Sequence, residues 1–179
     1  MKEILDLMVK TLLLWTPLIA SAAEPAPARW MIVNDGVMGG RSSSSVRAMD
    51  QHMRFTGILS LENSGGFASC RIAMTQGALR AGDGVKLRVR GDGRCYQFRL
   101  KAHVADAGIA YRAEFCTLFD AWADVRLYWS EFKPTYRGSM LRGPPLDLTA
   151  IGAMGFMLAD KRPGPFQLDV AEIGLIATE

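Results

Sequence analysis

Short segments in which apolar and polar residues alternate, joined by glycine-rich connections, constrain the fold of this chain more than any other feature. Val85, Leu87 and Val89 alternate with basic residues, and after the turn at residues 91–93 the alternation resumes from Tyr96 to Lys101. A period of two is typical of a strand with one buried face. The sequence therefore predicts an all-β fold after residue 30, with no helix longer than a turn or two.

The length and composition of the chain fit one such domain. It has 179 residues, of which 49% are hydrophobic and 22% charged. That is enough for one well-buried core and too little for two domains of ordinary size. Eight or more short strands with Gly- and Pro-rich connections favour a β-sandwich or jelly roll over residues 30–179.

The strand pattern also predicts a pairing. If residues 105–107 lie near a turn, matching the buried faces pairs Tyr96 with Phe115 and places Cys95 opposite Cys116. Of the three cysteines only two can pair within one chain, and a disulfide between these two suits an oxidising compartment. Free thiols are the alternative.

The same reasoning predicts a basic outer face. If the strand at residues 85–90 forms a hairpin with the next strand, Lys86 lies opposite Arg99, and Arg99 lies opposite Arg112. Like charges directly opposite one another destabilise a sheet, so such a face needs acidic partners or an anionic ligand. A solvated face with splayed side chains is the alternative.

Two turn-forming motifs supply the candidate contact residues. The first runs over residues 34–42 and combines close-set glycines with Asn and Asp, and the second runs over residues 62–67 and combines two glycines with Asn. We expect them to form shaped loops at one end of the sheets. The predicted contact residues are Asn34, Asp35, Arg41, Asn63, Tyr136 and Arg137. The alternative is that these residues only hold turns and ion pairs.

These motifs carry a family resemblance. The residues concerned are Trp30, residues 34–42, residues 65–67, residues 134–138 and residues 151–166. Together they resemble the complex I intermediate-associated protein 30 family, whose members are similar to galactose-binding-like jelly rolls. The namesake accompanies partly built NADH:ubiquinone oxidoreductase and is not a subunit of the finished enzyme. The resemblance implies a non-catalytic binding or assembly protein with chaperone-like contact to an intermediate.

A second hypothesis comes from the fold that the resemblance implies. Jelly rolls of this kind often bind sugars, which would make the chain an exported carbohydrate-binding module. Sugar recognition uses exposed aromatic rings beside polar side chains. The candidates are Trp122, Trp129 and Tyr136. The expected partner is thus a protein intermediate or a glycan.

Catalysis, cofactors and nucleic acid are not indicated. The two histidines, His52 and His103, lack the spacing of a zinc site, and no serine-hydrolase elbow is present in the sequence. We therefore expect no enzyme activity, no metal and no cofactor. A formal charge of +3 is far from the basic clustering of a nucleic-acid-binding protein.

The N-terminus has the layout of a secretory signal. Lys2 and Lys10 precede an apolar run that ends in small residues, which predicts a signal over residues 1–23, cleavage after Ala23, and a linker over residues 24–29. Lys10 and Pro17 interrupt any span long enough to cross a bilayer. The predicted location is exported or periplasmic. An uncleaved helix or a start nearer Trp30 would leave the protein in the cytoplasm, where complex I assembly would require it.

Overall fold

A computed structural model of the chain describes residues 30–102 and 108–178. The predicted signal, its cleavage site and the linker lie outside the described residues, as does His103. The described strands are β1 Met31–Ile32, β2 Ser43–Ala48, β3 Met53–Leu59, β4 Ala68–Ala73, β5 Gly82–Gly91, β6 Cys95–Ala102, β7 Ile109–Cys116, β8 Ala123–Tyr128, β9 Lys133–Tyr136, β10 Ser139–Met140, β11 Ile151–Leu158 and β12 Gly164–Ala177.

The strands form two antiparallel sheets that pack face to face. The seven-stranded sheet has the order β1-β4-β11-β6-β7-β9-β10, and the five-stranded sheet has the order β2-β3-β12-β5-β8. This arrangement is a jelly-roll β-sandwich and confirms the predicted fold class. The helical segments within the described residues are short 3₁₀ turns: Asp35–Met38, Glu62–Ser64, Ala78–Ala81 and Trp129–Glu131. Among the residues described, no helix has the length and apolarity needed to cross a bilayer.

The core lies between the sheets and is built from the apolar positions of each alternating strand. Tyr96, Phe98 and Leu100 of β6 are fully buried, and so are Leu87 of β5 and Leu168 of β12. Their neighbours in sequence point away from the core because side chains alternate along a strand. The hydrophobic effect therefore decides which face of each strand is inside.

The pairing of β6 with β7 has the predicted register. Tyr96 lies opposite Phe115, and Arg99 lies opposite Arg112. Cys95 lies opposite Cys116, and the structure joins these two residues in a disulfide. Cys70 is buried as a free thiol, and burial raises its pKa to about 12.

The predicted hairpin between β5 and β6 is wrong. These strands belong to different sheets, so Lys86 lies opposite Arg126 and Gly174 instead of Arg99. Asp92 fixes the crossover between them, because its carboxylate accepts hydrogen bonds from the Tyr96 hydroxyl at 3.0 Å and the Gln167 amide at 2.9 Å. Periodicity alone could not decide this, since a strand facing the core from either sheet has the same alternation.

Candidate binding groove

A buried carboxylate joins the two turn motifs. Asp35 has no exposed surface, and its Oδ1 accepts a hydrogen bond from the Ser42 amide at 2.9 Å. Its Oδ2 accepts bonds from the Ser42 hydroxyl at 2.5 Å and from the amides of Gly66 at 2.7 Å and Phe67 at 3.2 Å. The loop at residues 34–42 is therefore tied to the loop at residues 62–67 through one side chain. We call these the paired loops.

Two glycines of the motifs are needed for this arrangement. A Cβ atom at Gly40 would lie 2.4 Å from Cγ of Asp35, and one at Gly65 would lie 2.6 Å from Oδ2 of Asp35. No real side chain tolerates such distances. The motif glycines at these positions thus let the backbone approach the carboxylate.

The surroundings of Asp35 also set its protonation. Burial by itself would raise the pKa of this carboxyl, but the hydrogen bonds from Ser42, Gly66 and Phe67 outweigh burial and lower the pKa below its ordinary value. Asp35 is therefore ionised at neutral pH with its oxygens occupied. Because Asp35 has no exposed surface, the structure gives it the role of holding the two loops, which differs from its prediction as a contact residue.

Three more predicted contact residues make polar contacts at the paired loops: Asn34 joins the first loop to β2 and β4, and Arg41 and Asn63 join the two loops to each other. The Asn34 side-chain oxygen accepts bonds from the Ser44 hydroxyl at 2.8 Å and the Ser69 amide at 3.2 Å. The Asn63 amide donates to the Gly39 carbonyl at 3.2 Å, and exposed Arg41 pairs with exposed Glu62 at 3.3 Å.

These contacts favour a structural role for Asn34 in particular. Arg41 and Asn63 keep exposed surface beside the loop contacts that they make, so both remain predicted contact residues.

A groove of about 970 Å³ opens beside the paired loops. Its floor is the outer face of the seven-stranded sheet, where Gln97, Arg99, Arg112 and Met157 line it. One wall comes from the paired loops, and the other includes Thr135, Arg137 and Gly138 at the end of β9, with Ala159 and Lys161 closing the end after β11. We refer to this cavity as the groove.

A smaller cavity of about 200 Å³ adjoins the groove across the same sheet. Phe67, Arg99, Gly108 and Met157 line both cavities. The Arg99 side chain therefore stands at the junction of the two. Sequence reasoning named the pairing of Arg99 with Arg112 but gave neither residue a place at the site.

Arg99 has an unusual set of neighbours for a partly buried cation. Its Nη1 donates to the Met157 sulfur at 2.8 Å and its Nη2 donates to the Thr135 hydroxyl at 3.1 Å. Within residues 30–102 and 108–178, no carboxylate forms an ion pair with Arg99, whereas Arg112 opposite it is paired with Glu114 at 2.9 Å. Burial, followed by the charge of Arg112, lowers the pKa of Arg99 from its ordinary value.

Of the two remaining predicted residues, Arg137 is at the wall of the groove, whereas Tyr136 next to it lines neither cavity. Arg137 has a left-handed φ of 48° in the turn between β9 and β10, and its guanidinium lies 5.3 Å from the centre of the Tyr136 ring. Arg137 lines the groove directly. Both side chains are exposed, so this pair is within reach of a bound partner.

The tryptophans proposed as sugar platforms lie elsewhere. Trp122 stacks on Arg90 at 5.0 Å and meets His52 edge-on, beside the outer face of the five-stranded sheet. Trp129 packs against Phe132 and donates its indole N–H to the Gly82 carbonyl at 2.6 Å. Neither lines the groove, so they offer no aromatic platform at this cavity.

The rim of the groove is aliphatic instead. Val37 is 74% exposed and Met38 is 63% exposed at the tip of the first loop, and Leu61 is 42% exposed beside the second. Met38 and Leu61 both line the groove. Exposed apolar side chains grouped around a concave surface are typical of interaction sites.

Residues 20–170 match the family model described as complex I intermediate-associated protein 30 (CIA30). Solved structures share the fold at low sequence identity. The family 11 carbohydrate-binding module of the cellulosomal cellulase Lic26A-Cel5E of Clostridium thermocellum aligns with a TM-score of 0.64 and 16% identity, over 87% of this chain and 91% of the module.

Two further structures agree with this fold. The family 11 module from Clostridium thermocellum in complex with a beta-1,3-1,4-mixed-linked tetrasaccharide aligns with a TM-score of 0.60 and 15% identity, over 87% of this chain and 94% of that one. An agarase aligns with a TM-score of 0.58 and 11% identity, over 86% of this chain and 23% of its own. At these identities the likeness concerns the fold alone.

Proposed function

The chain belongs to the complex I intermediate-associated protein 30 family, and from that premise we propose that it is a non-catalytic binding protein. Its groove holds a segment of a protein partner, in chaperone-like contact with an intermediate of a protein complex. The observation that carries this proposal is the aliphatic rim formed by Val37, Met38 and Leu61 beside the groove. Such side chains gain free energy when an apolar partner covers them.

The construction of the paired loops supports the same function. Loops that are held by hydrogen bonds before a partner arrives lose little conformational entropy on binding. Asp35 provides this with bonds to Ser42, Gly66 and Phe67. The groove wall is thereby preorganised, while Met38 and Leu61 at its edge stay free to contact the partner.

A glycan is the second candidate ligand of the groove. The observation in its favour is the shared fold with a module solved in complex with a mixed-linked tetrasaccharide. Against it stands the absence of Trp30, Trp122 and Trp129 from the groove lining. Stacking on indole rings, a large part of sugar recognition, is therefore not available there from the described tryptophans.

Photo-crosslinking of the full chain tests the proposal. Leu61 at the rim is replaced by the photoreactive amino acid p-benzoylphenylalanine, and the protein is irradiated in cells of its own host. The matched control places the same amino acid at Phe119, which is 81% exposed and lines neither cavity. We expect protease-sensitive crosslinked bands from the Leu61 position that the Phe119 position does not produce.

Each outcome separates the two candidates. A defined protein partner, identified by mass spectrometry of the Leu61 product and re-crosslinked as a purified protein, supports the proposal. Equal products from both positions contradict it. Binding of the purified chain to mixed-linked β-glucan in affinity electrophoresis, with no protein product at Leu61, assigns the groove to the glycan.

The location of the protein bears on which partner it meets, and export with cleavage after Ala23 stays a prediction. Intact mass of the protein from fractionated cells tests it. Loss of residues 1–23 in the periplasmic fraction supports export and argues against direct contact with complex I intermediates in the cytoplasm. A full-length protein in the cytoplasmic fraction supports the assembly role.

A further inference from the structure

The outer face of the seven-stranded sheet carries a row of basic residues that cross-strand pairing places side by side. Arg71 lies opposite Gly155, Gly155 opposite Arg99, Arg99 opposite Arg112, and Arg112 opposite Lys133. With strands about 4.8 Å apart, the row extends over roughly 19 Å. Four of its five positions are cationic, and the fifth is a glycine without a side chain.

Basic side chains from this row and from other segments line the groove and the adjoining cavity. Their basic lining residues are Arg71, Arg99, Lys101, Arg112, Arg137 and Lys161. None of the residues that line either cavity, among those that the structure describes, is acidic. Of these cations, Arg112 is paired with an acid on the same strand, Glu114, at 2.9 Å. The described lining therefore has a positive charge that the residues around it leave largely uncompensated.

We propose that the groove binds an acidic peptide segment, with a side-chain carboxylate held between Arg99 and Arg112. This inference rests on the proposed function and names the chemistry of the partner. A guanidinium presents paired N–H donors that match the two oxygens of a carboxylate. The partners of Arg99 in the structure, the Met157 sulfur and the Thr135 hydroxyl, are neutral. A carboxylate displaces the weak sulfur acceptor and neutralises the charge.

The side-chain oxygen of Gln97, on the floor of the groove, is a second polar group without a partner among the described residues. Gln97 is only 7% exposed, lines the groove, and has a buried side-chain oxygen with no hydrogen-bond partner among the described residues. An unsatisfied buried acceptor costs free energy, which a ligand donor recovers. A ligand that satisfies both residues therefore brings an anion for Arg99 and an N–H or O–H for Gln97. The backbone N–H of a peptide supplies the donor.

The apolar rim favours one class among the ligands that supply both an anion for Arg99 and a hydrogen-bond donor for Gln97. An acidic sugar offers carboxylates and hydroxyls, but it has no apolar side chain to cover Met38 and Leu61. A peptide in which acidic and apolar residues are mixed covers the rim, neutralises Arg99 and donates to Gln97. Inorganic phosphate meets only the demand for charge.

Isothermal titration of the full chain tests the inference with defined probes. The first probe is a capped hexapeptide of alternating glutamate and leucine, the second its glutamine and leucine counterpart, and the third is trigalacturonate. We expect the glutamate peptide to bind at least tenfold more tightly than the glutamine peptide. We also expect its affinity to fall as salt is raised, since screening weakens charge attraction.

Two variants place the binding at the proposed site. Arg99→Gln is expected to weaken the glutamate peptide at least tenfold and to leave the glutamine peptide within twofold. The matched control is Arg88→Gln, on the outer face of the five-stranded sheet, where Arg88 pairs with Asp124; it is expected to leave both affinities unchanged. If Arg99→Gln does not fold, Arg112→Gln is the second variant, and the comparison of peptides on the unaltered chain needs no variant.

Three results overturn the inference: equal affinity for the two peptides, an unchanged affinity in folded Arg99→Gln, and tighter binding of trigalacturonate than of the glutamate peptide. The last result assigns the site to acidic glycans. Failure of the peptide test together with a protein crosslinked at Leu61 removes only the carboxylate site and leaves the proposed function standing. Failure of both tests removes both.

Discussion

The outer faces of the two sheets both carry arginine and lysine side chains, but they differ in how far these side chains are paired with carboxylates. On the five-stranded sheet, Asp169 is fully buried and accepts from Arg54 at 2.7 Å and Arg90 at 2.8 Å. Exposed ion pairs also join Lys86 to Glu172 and Arg88 to Asp124 there. On the seven-stranded sheet, Arg99 has only neutral partners among the described residues.

This difference is the basis for the proposal that the outer face of the seven-stranded sheet binds an acidic ligand. A cation that already has a carboxylate partner, as Arg112 has in Glu114, gains less from a further anion than a cation such as Arg99, which has no counter-charge among the described residues. The pKa of Asp169 is lowered, because the hydrogen bonds and charges of its arginine neighbours outweigh burial, which by itself raises it. The pKa of Arg99 is lowered too, which for a base means that its charged form is disfavoured.

The largest effect on stability is expected at the centre of the compensated face. Asp169→Asn leaves Arg54 and Arg90 facing each other without their carboxylate, and we expect the free energy of unfolding to fall by about 3–4 kcal/mol. Urea denaturation followed by tryptophan fluorescence measures it. The control Asp124→Asn breaks only the exposed pair with Arg88 and should cost less than about 1 kcal/mol. Equal losses in the two variants would contradict the contrast between buried and exposed pairs.

The seven-stranded sheet is expected to depend on its disulfide more than on ion pairs. Replacing Cys95 and Cys116 by Ser opens a link between residues 21 positions apart, and the chain-entropy relation predicts a loss of about 3 kcal/mol. Denaturation of the variant, compared with the parent protein with and without reductant, measures this loss. Cys70→Ala is the control for removal of a thiol outside the disulfide. Unchanged stability of the double variant would show that the bridge adds nothing to this face.

The paired loops should show a smaller loss that depends on pH. Asp35→Asn removes the carboxylate that accepts hydrogen bonds from the amides of Gly66 and Phe67. We expect the free energy of unfolding to fall by about 2 kcal/mol at pH 7. Because the pKa of Asp35 is lowered in the folded state, its contribution is complete above the ordinary value of 3.8 and is lost as the pH falls through the folded value. The difference between parent and variant should therefore shrink on acidification. A difference that stays constant from pH 7 to pH 3 would contradict this.

The smallest effect has the opposite sign. Arg99→Met removes a partly buried cation that repels Arg112, and we expect the free energy of unfolding to rise by about 1 kcal/mol, as binding sites often trade stability for function. Thermal denaturation of Arg99→Met beside Arg54→Met measures the contrast, since Arg54→Met breaks the pair with Asp169 and should destabilise. A loss for Arg99→Met as large as that for Arg54→Met would assign Arg99 a structural role.

Local pattern predicted which side chains face the core in the strands at residues 82–91, 95–102 and 109–116, but not the sheet to which a strand belongs. The register of Tyr96 with Phe115 and of Cys95 with Cys116 followed from matching buried faces over two neighbouring strands. The supposed pairing of Lys86 with Arg99 failed at the turn over residues 91–93, where the chain crosses the sandwich. A hairpin and a crossover bury the same residues, so periodicity cannot tell them apart.

The candidate site also has features that the sequence predicted and features that only the tertiary structure decided. The sequence by itself determined the all-β class, the buried faces and the turn motifs at residues 34–42 and 62–67, because these depend on contacts between near neighbours. Only the tertiary structure decided that Asp35 binds the motifs together and that Gln97 and Arg99 share a groove floor with Met157. Burial and charge compensation depend on residues that are distant in the chain, and these are set when the sheets pack.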